Sequence, residues 1–107
     1  KLFGRILEME GYKVHTAQDG EEAVRIVRET PDFSLIFLDF SMPPGMNGLE
    51  ALAQMRQENY NNPAVLVTAW GDAEIKQKCL TLNCDYLPKP VGLKEIITKA
   101  KQYAPLN

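Results

Sequence analysis

Two short runs of the chain consist only of apolar residues: positions 35–38 read LIFL and positions 64–67 read AVLV. A strand with helices on both of its faces is apolar at every position, whereas a strand with one face in water alternates apolar and polar residues. Runs this short also favour strands over buried helices. The two runs therefore predict strands of a parallel sheet that is covered on both sides.

Apolar residues recur at helical spacing in five segments around these runs. The residues that mark these segments are Leu2, Phe3, Ile6 and Leu7; Ala23, Val24 and Val27; Leu49, Leu52 and Met55; Ile75, Cys79 and Leu82; and Ile96, Ala100 and Tyr103. Two weaker strands are predicted at positions 13–17 and 85–87. The expected N-caps are Asp19 or Gly20 for the second helix, Asp72 for the fourth and Gly92 for the fifth, and YNNP at positions 60–63 is expected to end the third helix.

Helices and strands thus alternate along the chain, and right-handed crossovers would make every strand parallel, with helices on both faces of the sheet. A chain of 107 residues is long enough for one compact domain, which we expect to span residues 1–107. A net charge of -2 argues against a direct nucleic-acid contact. No apolar run approaches the roughly 20 residues of a membrane span, and the charged start argues against a signal peptide, so we expect a cytoplasmic protein.

Two cysteines and one histidine are the side chains that we interpret as structural. Cys79 and Cys84 have no companion His or Cys cluster, so we interpret them as buried free thiols rather than as a disulfide or a metal site. His15, the only histidine, lies on a predicted edge strand and is interpreted as an exposed strand residue rather than as a phosphoryl carrier.

Polar side chains follow three of the predicted strands. Asp39 ends the first apolar run, Thr68 ends the second, and Lys89 follows the last strand. Because parallel strands share one carboxyl edge and lie about 4.8 Å apart, these side chains can reach one small ligand there. A carboxylate nucleophile with a hydroxyl and an ammonium group beside it suits a phosphoryl group.

These residues, in this order, resemble the receiver domain of bacterial two-component response regulators. The resemblance covers nearly the whole chain and depends on three motifs: LIFLDFSMPPGMNG with Asp39, VLVTA with Thr68, and DYLPKP with Lys89. It implies a flavodoxin-like doubly wound sheet with strand order 2-1-3-4-5. It also implies a regulatory phosphoacceptor rather than an enzyme that turns over a separate substrate.

By this resemblance, a sensor histidine kinase or a phosphotransfer protein donates the phosphoryl group to Asp39. Mg²⁺ is the implied cofactor, with Asp39 and the main-chain carbonyl of Ser41 in its shell. Thr68 and Tyr86 are the implied switch residues, which move the face made by the fourth helix, the last strand and the fifth helix, where a downstream effector or a second copy binds. Ser41 and Trp70 occupy the positions that tune the lifetime of the phosphoryl group.

The sequence departs from the family pattern at two places. The loop DFSMPPGMNG carries one extra residue, Pro44 or Gly45, and has Asn47 in place of an Asp. The chain also begins at Lys1, inside the first helix, so the first strand and its metal-binding acidic pair are missing; Glu8 and Glu10 lie too late in that helix to replace the pair. We expect a truncated sequence in preference to a strand supplied by another copy or a rearranged sheet.

Two other functions stay open. If the acidic pair is truly absent, the chain could be a receiver-like scaffold that binds partners without phosphorylation. A haloacid-dehalogenase-like phosphatase also uses a strand-end aspartate as its nucleophile, but it needs a second carboxylate two positions later, where this chain has Ser41.

Overall fold

Eight regular elements follow one another along the described part of the chain, and helix and strand alternate from α2 onwards. The computed structural model describes residues 2–30, 32–41, 45–69, 71 and 73–106, apart from the side chains of residues 2 and 3. The elements are α1 (Leu2–Met9), α2 (Gly20–Glu29), β1 (Ile36–Asp39), α3 (Gly48–Gln57), β2 (Ala64–Thr68), α4 (Ala73–Thr81), β3 (Asp85–Pro88) and α5 (Leu93–Tyr103). The strands are parallel and lie in the order β1-β2-β3. The predicted α/β class is confirmed, and the five helices agree with the apolar periodicity.

The sheet separates two apolar clusters, as continuous apolar strands require. Successive residues of β2 point to opposite faces: Leu66 packs in the cluster formed with α2, α3 and α4, whereas Val65 packs in the cluster formed with α1 and α5. All five residues of β2 are buried because strands flank it on both sides. β1 has one strand neighbour among the described residues and is less buried.

Side-chain caps begin two of the helices. Asp19 accepts a hydrogen bond from the Glu22 amide at 2.8 Å, which confirms it as the N-cap of α2. Asn47 and Glu50 form a reciprocal capping box at the start of α3, a cap that the sequence reading missed. Gly92 is the N-cap of α5, as predicted, whereas the predicted cap Asp72 lies outside the described residues.

The end of α3 comes earlier than predicted. The helix stops at Gln57, ahead of the YNNP sequence, and the chain turns through Asn59 with a φ of 74°. Asparagine tolerates this left-handed conformation because its side chain bonds locally to the backbone. A left-handed Asn therefore ends the helix before Pro63 is reached.

The strand predicted at positions 13–17 is wrong. These residues form no regular element, although they carry side chains that pack: an ideal Cβ on Gly4 of α1 would lie 3.5 Å from Val14 Cγ1. A strand exists only where a neighbour accepts and donates its backbone hydrogen bonds. None of the strands in the described ranges lies beside this segment, since the sheet contains β1, β2 and β3.

The remaining structural predictions are mixed in outcome. Cys79 and Cys84 are free and buried, which confirms their interpretation. His15 is exposed but not in a strand, and its ring meets the edge of Phe33 at 5.3 Å between centroids. Within the described ranges, no helix combines the length and the apolar character that crossing a membrane requires.

Candidate functional site

Backbone hydrogen bonds hold Asp39 at the carboxyl edge of the sheet. Asp39 is paired with Val67 of β2, and the next amide, that of Phe40, donates to the Val67 carbonyl at 2.9 Å. The Gly48 amide at the start of α3 donates to the Phe40 carbonyl, also at 2.9 Å. The end of β1 is thus bonded both to its neighbouring strand and to the following helix.

The approach of α3 to Asp39 requires glycine. A Cβ added to Gly48 would lie 2.5 Å from the Asp39 carbonyl oxygen and 2.9 Å from Leu66 Cδ1. Real Cβ atoms do not come so close to backbone atoms, so any side chain at position 48 would displace the helix or the strand end. Gly48 therefore contributes to the position of Asp39.

Thr68 and Lys89 lie on the same edge as Asp39. Thr68 ends the central strand and is only 1% exposed, and the Lys89 amide donates to the Thr68 carbonyl at 2.8 Å. From β3, the Lys89 side chain reaches past the central strand to the carboxylate on β1. Its Nζ lies 3.0 Å from Asp39 Oδ1 and 2.9 Å from Oδ2. The structure thus joins Lys89 to Asp39 through their side chains and to Thr68 through the backbone.

The carboxylate of Asp39 is oriented and accessible. The Ser41 amide donates to Oδ1 at 3.1 Å, while the Asp39 side chain is 46% exposed and that of Lys89 is 39% exposed. A fixed carboxylate beside a cation can act as a nucleophile, and the ammonium group can stabilise negative charge on an incoming group. This arrangement is suited to receiving a phosphoryl group from a small molecule in solution or from a docked protein.

The oxygen donors at this edge suit Mg²⁺ only in part. Mg²⁺ prefers carboxylate and carbonyl oxygens, which Asp39 and the Ser41 carbonyl supply in kind. Among the described residues, however, no three acidic, histidine or cysteine side chains cluster to hold a metal. The described residues therefore do not make a complete magnesium site.

Tyr86 lies on the same sheet face as Thr68. It is paired with Leu66 of β2, two residues before Thr68, and its half-buried side chain packs on the cluster beneath α3 and α4. An ideal Cβ on Gly71, between β2 and α4, would lie 3.7 Å from Tyr86 Oη. The hydroxyl of Tyr86 thus lies near the loop that follows Thr68.

A charged cluster at the start of β3 was not found by sequence reasoning. Asp85 Oδ2 accepts hydrogen bonds from Lys99 Nζ at 2.6 Å and from Tyr103 Oη at 2.7 Å, and Oδ1 accepts one from the Tyr86 amide at 2.8 Å. Burial opposes ionisation of Asp85, but these bonds outweigh it and lower the pKa of its carboxyl. The spacing of Lys99 and Tyr103 on one helical face was the available signal, but it does not identify the partner.

The loop between β1 and α3 packs on the start of α2. Gly45 has a φ of 95°, and a Cβ there would lie 2.7 Å from Glu21 Oε2. Asn47, the residue that departs from the family pattern, serves as the α3 cap. Pro44 and Trp70, the latter predicted to tune lifetime, lie outside the described residues.

Comparison with known proteins gives consistent matches. The family model described as the response regulator receiver domain matches residues 1–101. The transcriptional regulatory protein CpxR of Escherichia coli is 36% identical over 101 residues, which are 94% of this chain and 42% of CpxR. Sporulation initiation phosphotransferase F of Bacillus subtilis is 34% identical over 108 residues, which are 99% of this chain and 85% of that protein.

A solved structure extends this comparison to the fold. The CheX-CheY complex of Borrelia burgdorferi with BeF₃ and Mg²⁺ superposes with a TM-score of 0.82 at 26% identity, covering 92% of this chain and 75% of the matched one. The chain therefore spans less than half the length of CpxR but most of the length of the two smaller proteins.

Proposed function

Because this chain belongs to the response regulator receiver domain family, we propose that it is a two-component signalling domain that accepts a phosphoryl group on Asp39. Receiver domains are regulatory, and residues 1–107 would form one such domain, whose own chemistry is limited to gaining and losing this group. CpxR is more than twice as long as this chain, so its transcriptional output involves residues beyond the matched region. Any output of a longer protein that contains this chain is therefore also a proposal.

The strongest support is the position of the Lys89 ammonium group. It donates to both oxygens of the Asp39 carboxylate, at 3.0 and 2.9 Å, while the backbone amide of Lys89 donates to the Thr68 carbonyl. An exposed ion pair of this kind contributes little to stability. Its placement at a ligand-binding edge of the sheet favours a role in chemistry instead.

In the proposed step, an oxygen of Asp39 attacks the phosphorus of a phosphohistidine. The nitrogen–phosphorus bond breaks, the electron pair goes to the imidazole, and an acyl phosphate forms on Asp39. Lys89 shifts from the carboxylate to the phosphoryl oxygens, and the Thr68 hydroxyl binds the same group. Mg²⁺, when bound with Asp39 and the Ser41 carbonyl as two of its ligands, would neutralise phosphoryl charge.

The proposed partners are a sensor histidine kinase or phosphotransfer protein as donor and a downstream effector as reader, in the cytoplasm. The names of two relatives support a transfer and a transcriptional output, respectively: a phosphotransferase and a transcriptional regulatory protein. Thr68 and Tyr86 would couple the phosphoryl group to the face formed by α4, β3 and α5, which the effector or a second copy would bind.

We also propose that Ser41 and Trp70 set the lifetime of the acyl phosphate. Each lies two positions beyond a site residue, Asp39 or Thr68, and neither side chain is a base that could activate water. A long-lived phosphoryl group is therefore expected.

The test is phosphorylation by acetyl phosphate with Mg²⁺, followed by intact mass, on the longest natural form of the protein that contains residues 1–107. The wild-type protein should gain one phosphoryl group, and Asp39→Asn should gain none because an amide is not a competent nucleophile here. Asp32→Asn, which changes another exposed aspartate, is the matched control and should react like wild type. Equal labelling of wild type and Asp39→Asn would show that Asp39 is not the acceptor.

The same experiment separates the alternatives. A phosphorylation-independent scaffold would show no labelling of wild type with either acetyl phosphate or a phosphohistidine protein. A phosphatase would release inorganic phosphate in many turnovers per protein molecule. We favour the phosphoacceptor because Ser41 replaces the second carboxylate that such a phosphatase needs.

A further inference from the structure

The aromatic ring of Tyr86 is contacted from α4 by a cation. Lys76 Nζ lies 5.6 Å from the centroid of the Tyr86 ring. This distance is within the range of about 6 Å in which an ammonium group is attracted to the face of an aromatic ring. The contact joins the first half of α4 to β3, two elements of the proposed effector face.

The rest of Tyr86 is attached to other elements. Its amide donates to Asp85 Oδ1 at 2.8 Å, and Asp85 is itself bonded to Lys99 and Tyr103 of α5. The backbone of Tyr86 is therefore fixed with respect to α5, so the freedom that remains is rotation of its side chain. A rotation that carried the ring away from Lys76 would break the contact.

Lys78, two residues beyond Lys76 on α4, has a different partner. Lys78 lies 3.8 Å from Glu74, an i,i+4 ion pair along the outer surface of the helix. Lys76 and Lys78 are both exposed, and they carry the same charge on the same helix. Lys76 therefore differs from Lys78 in its contact with the Tyr86 ring and not in its charge.

We propose that Lys76 is a positioning residue that holds the Tyr86 ring against α4 and so sets the balance between two positions of the ring. This inference deepens the proposed function and rests on the switch role given there to Tyr86. An exposed cation–π contact of about 0.5–1 kcal/mol corresponds to a change of about two- to fivefold in the ratio of two ring positions.

The experiment uses protein labelled with 3-fluorotyrosine and observed by fluorine NMR. The chain has four tyrosines, and the Tyr86→Phe variant identifies the Tyr86 resonance by its loss. The variants are Lys76→Met, which keeps a long side chain without charge; Lys76→Arg, which keeps the cation; and Lys78→Met, the matched control. Circular dichroism checks that each variant is folded.

Lys76→Met should move the Tyr86 resonance, reflecting a two- to fivefold shift in ring populations. Lys76→Arg should keep it near the wild-type position, and Lys78→Met should leave it unchanged. A Tyr86 resonance that does not respond to Lys76→Met, or that responds equally to Lys78→Met, would overturn the inference.

A second arm separates this inference from the proposed function. Beryllium fluoride with Mg²⁺, added as a mimic of the phosphoryl group, should move the Tyr86 resonance of the wild-type protein if Tyr86 is a switch. No movement once the fluorine signal of bound beryllium fluoride has appeared would overturn that role of Tyr86 and, with it, the coupling to phosphorylation. The spectra recorded without the mimic test the contact between Lys76 and the ring independently of the switch role.

Discussion

Lys89 and Asp39 are 50 residues apart in the sequence, yet the Lys89 ammonium group bridges both oxygens of the Asp39 carboxylate at 3.0 and 2.9 Å. Asp39 ends one outer strand of the three-stranded sheet and Lys89 directly follows the other, and the central strand with Thr68 lies between them. A phosphoryl group on Asp39 would therefore lie within reach of the lysine without a large rearrangement of the backbone.

Removal of the Lys89 charge should slow phosphorylation of Asp39. For Lys89→Met we expect at least about a tenfold lower rate with acetyl phosphate, below the 10²–10³-fold effect of a fully buried donor because Lys89 is partly exposed. The rate is measured by intact mass against time. Lys101→Met removes another exposed, ion-paired lysine and should have the wild-type rate. Equal rates for Lys89→Met and wild type would contradict the role given to Lys89.

Replacement of Gly48 by alanine should destabilise the protein, whereas replacement of Gly4 by alanine should stabilise it. In Gly48→Ala the new Cβ would lie 2.5 Å from the Asp39 carbonyl oxygen, and we expect a loss of about 1–3 kcal/mol in unfolding free energy, typical of overpacking. In Gly4→Ala the Cβ would meet Val14 Cγ1 at 3.5 Å, an ordinary contact, and helix propensity predicts a gain of about 0.5–1 kcal/mol. Urea unfolding measures both; a neutral Gly48→Ala would be inconsistent with the close packing of α3 on β1.

The stability of the protein should depend on the shape of the Arg56 guanidinium group as well as on its charge. Its guanidinium donates to four main-chain carbonyls at 2.7–3.1 Å, on Tyr60, Asn62, Leu82 and Asn83, and so ties the loops after α3 and α4 together. A lysine has one nitrogen and cannot reach all four acceptors. For Arg56→Lys we expect a loss of about 1–2 kcal/mol in unfolding free energy.

The control for this change is Arg25→Lys. Arg25 is exposed and pairs only with Glu22 and Glu29 within the described residues. Its replacement should alter the urea midpoint little, since exposed ion pairs contribute little. If both variants lost the same stability, the carbonyl contacts of Arg56 would not be the cause.

The ion pair between Arg28 and Glu58 should make a pH-dependent contribution to stability. The hydrogen bond from Arg28, followed by one from Gln54, lowers the pKa of Glu58 from 4.5 to about 2. A lowered folded-state pKa stabilises the protein above the unfolded-state pKa, and this contribution is lost as the pH falls from about 4.5 through about 2. The effect is small because the pair is exposed and screened by salt.

Urea midpoints of wild type and Arg28→Met measure this contribution. We expect wild type to be the more stable at pH 7, with the difference shrinking at pH values below about 4.5. Glu29→Gln, which removes another exposed carboxylate from α2, should not reproduce this convergence. A difference that stays constant down to pH 3 would exclude Glu58 as the titrating group.

The local pattern of the sequence predicted the helices, the strands β1 and β2, and the polar residues at the sheet edge. Apolar runs at positions 35–38 and 64–67 predicted β1 and β2 to within one or two residues, and helical periodicity located all five helices. The position of Asp39, Thr68 and Lys89 at strand ends followed from chain order alone, because parallel strands share one carboxyl edge. The geometry of Lys89 then agreed with that expectation.

Only the tertiary structure decided which distant groups meet. Positions 13–17 have the local pattern of a strand but no regular structure, because a strand depends on a neighbour and not on its own sequence. The contacts found only in the structure join different elements. Asp85 accepts from Lys99 and Tyr103, Arg56 donates to four carbonyls, and Lys76 contacts the ring of Tyr86. Such contacts depend on the packing of helices against the sheet, and local periodicity carries no information about which side chains that packing brings together.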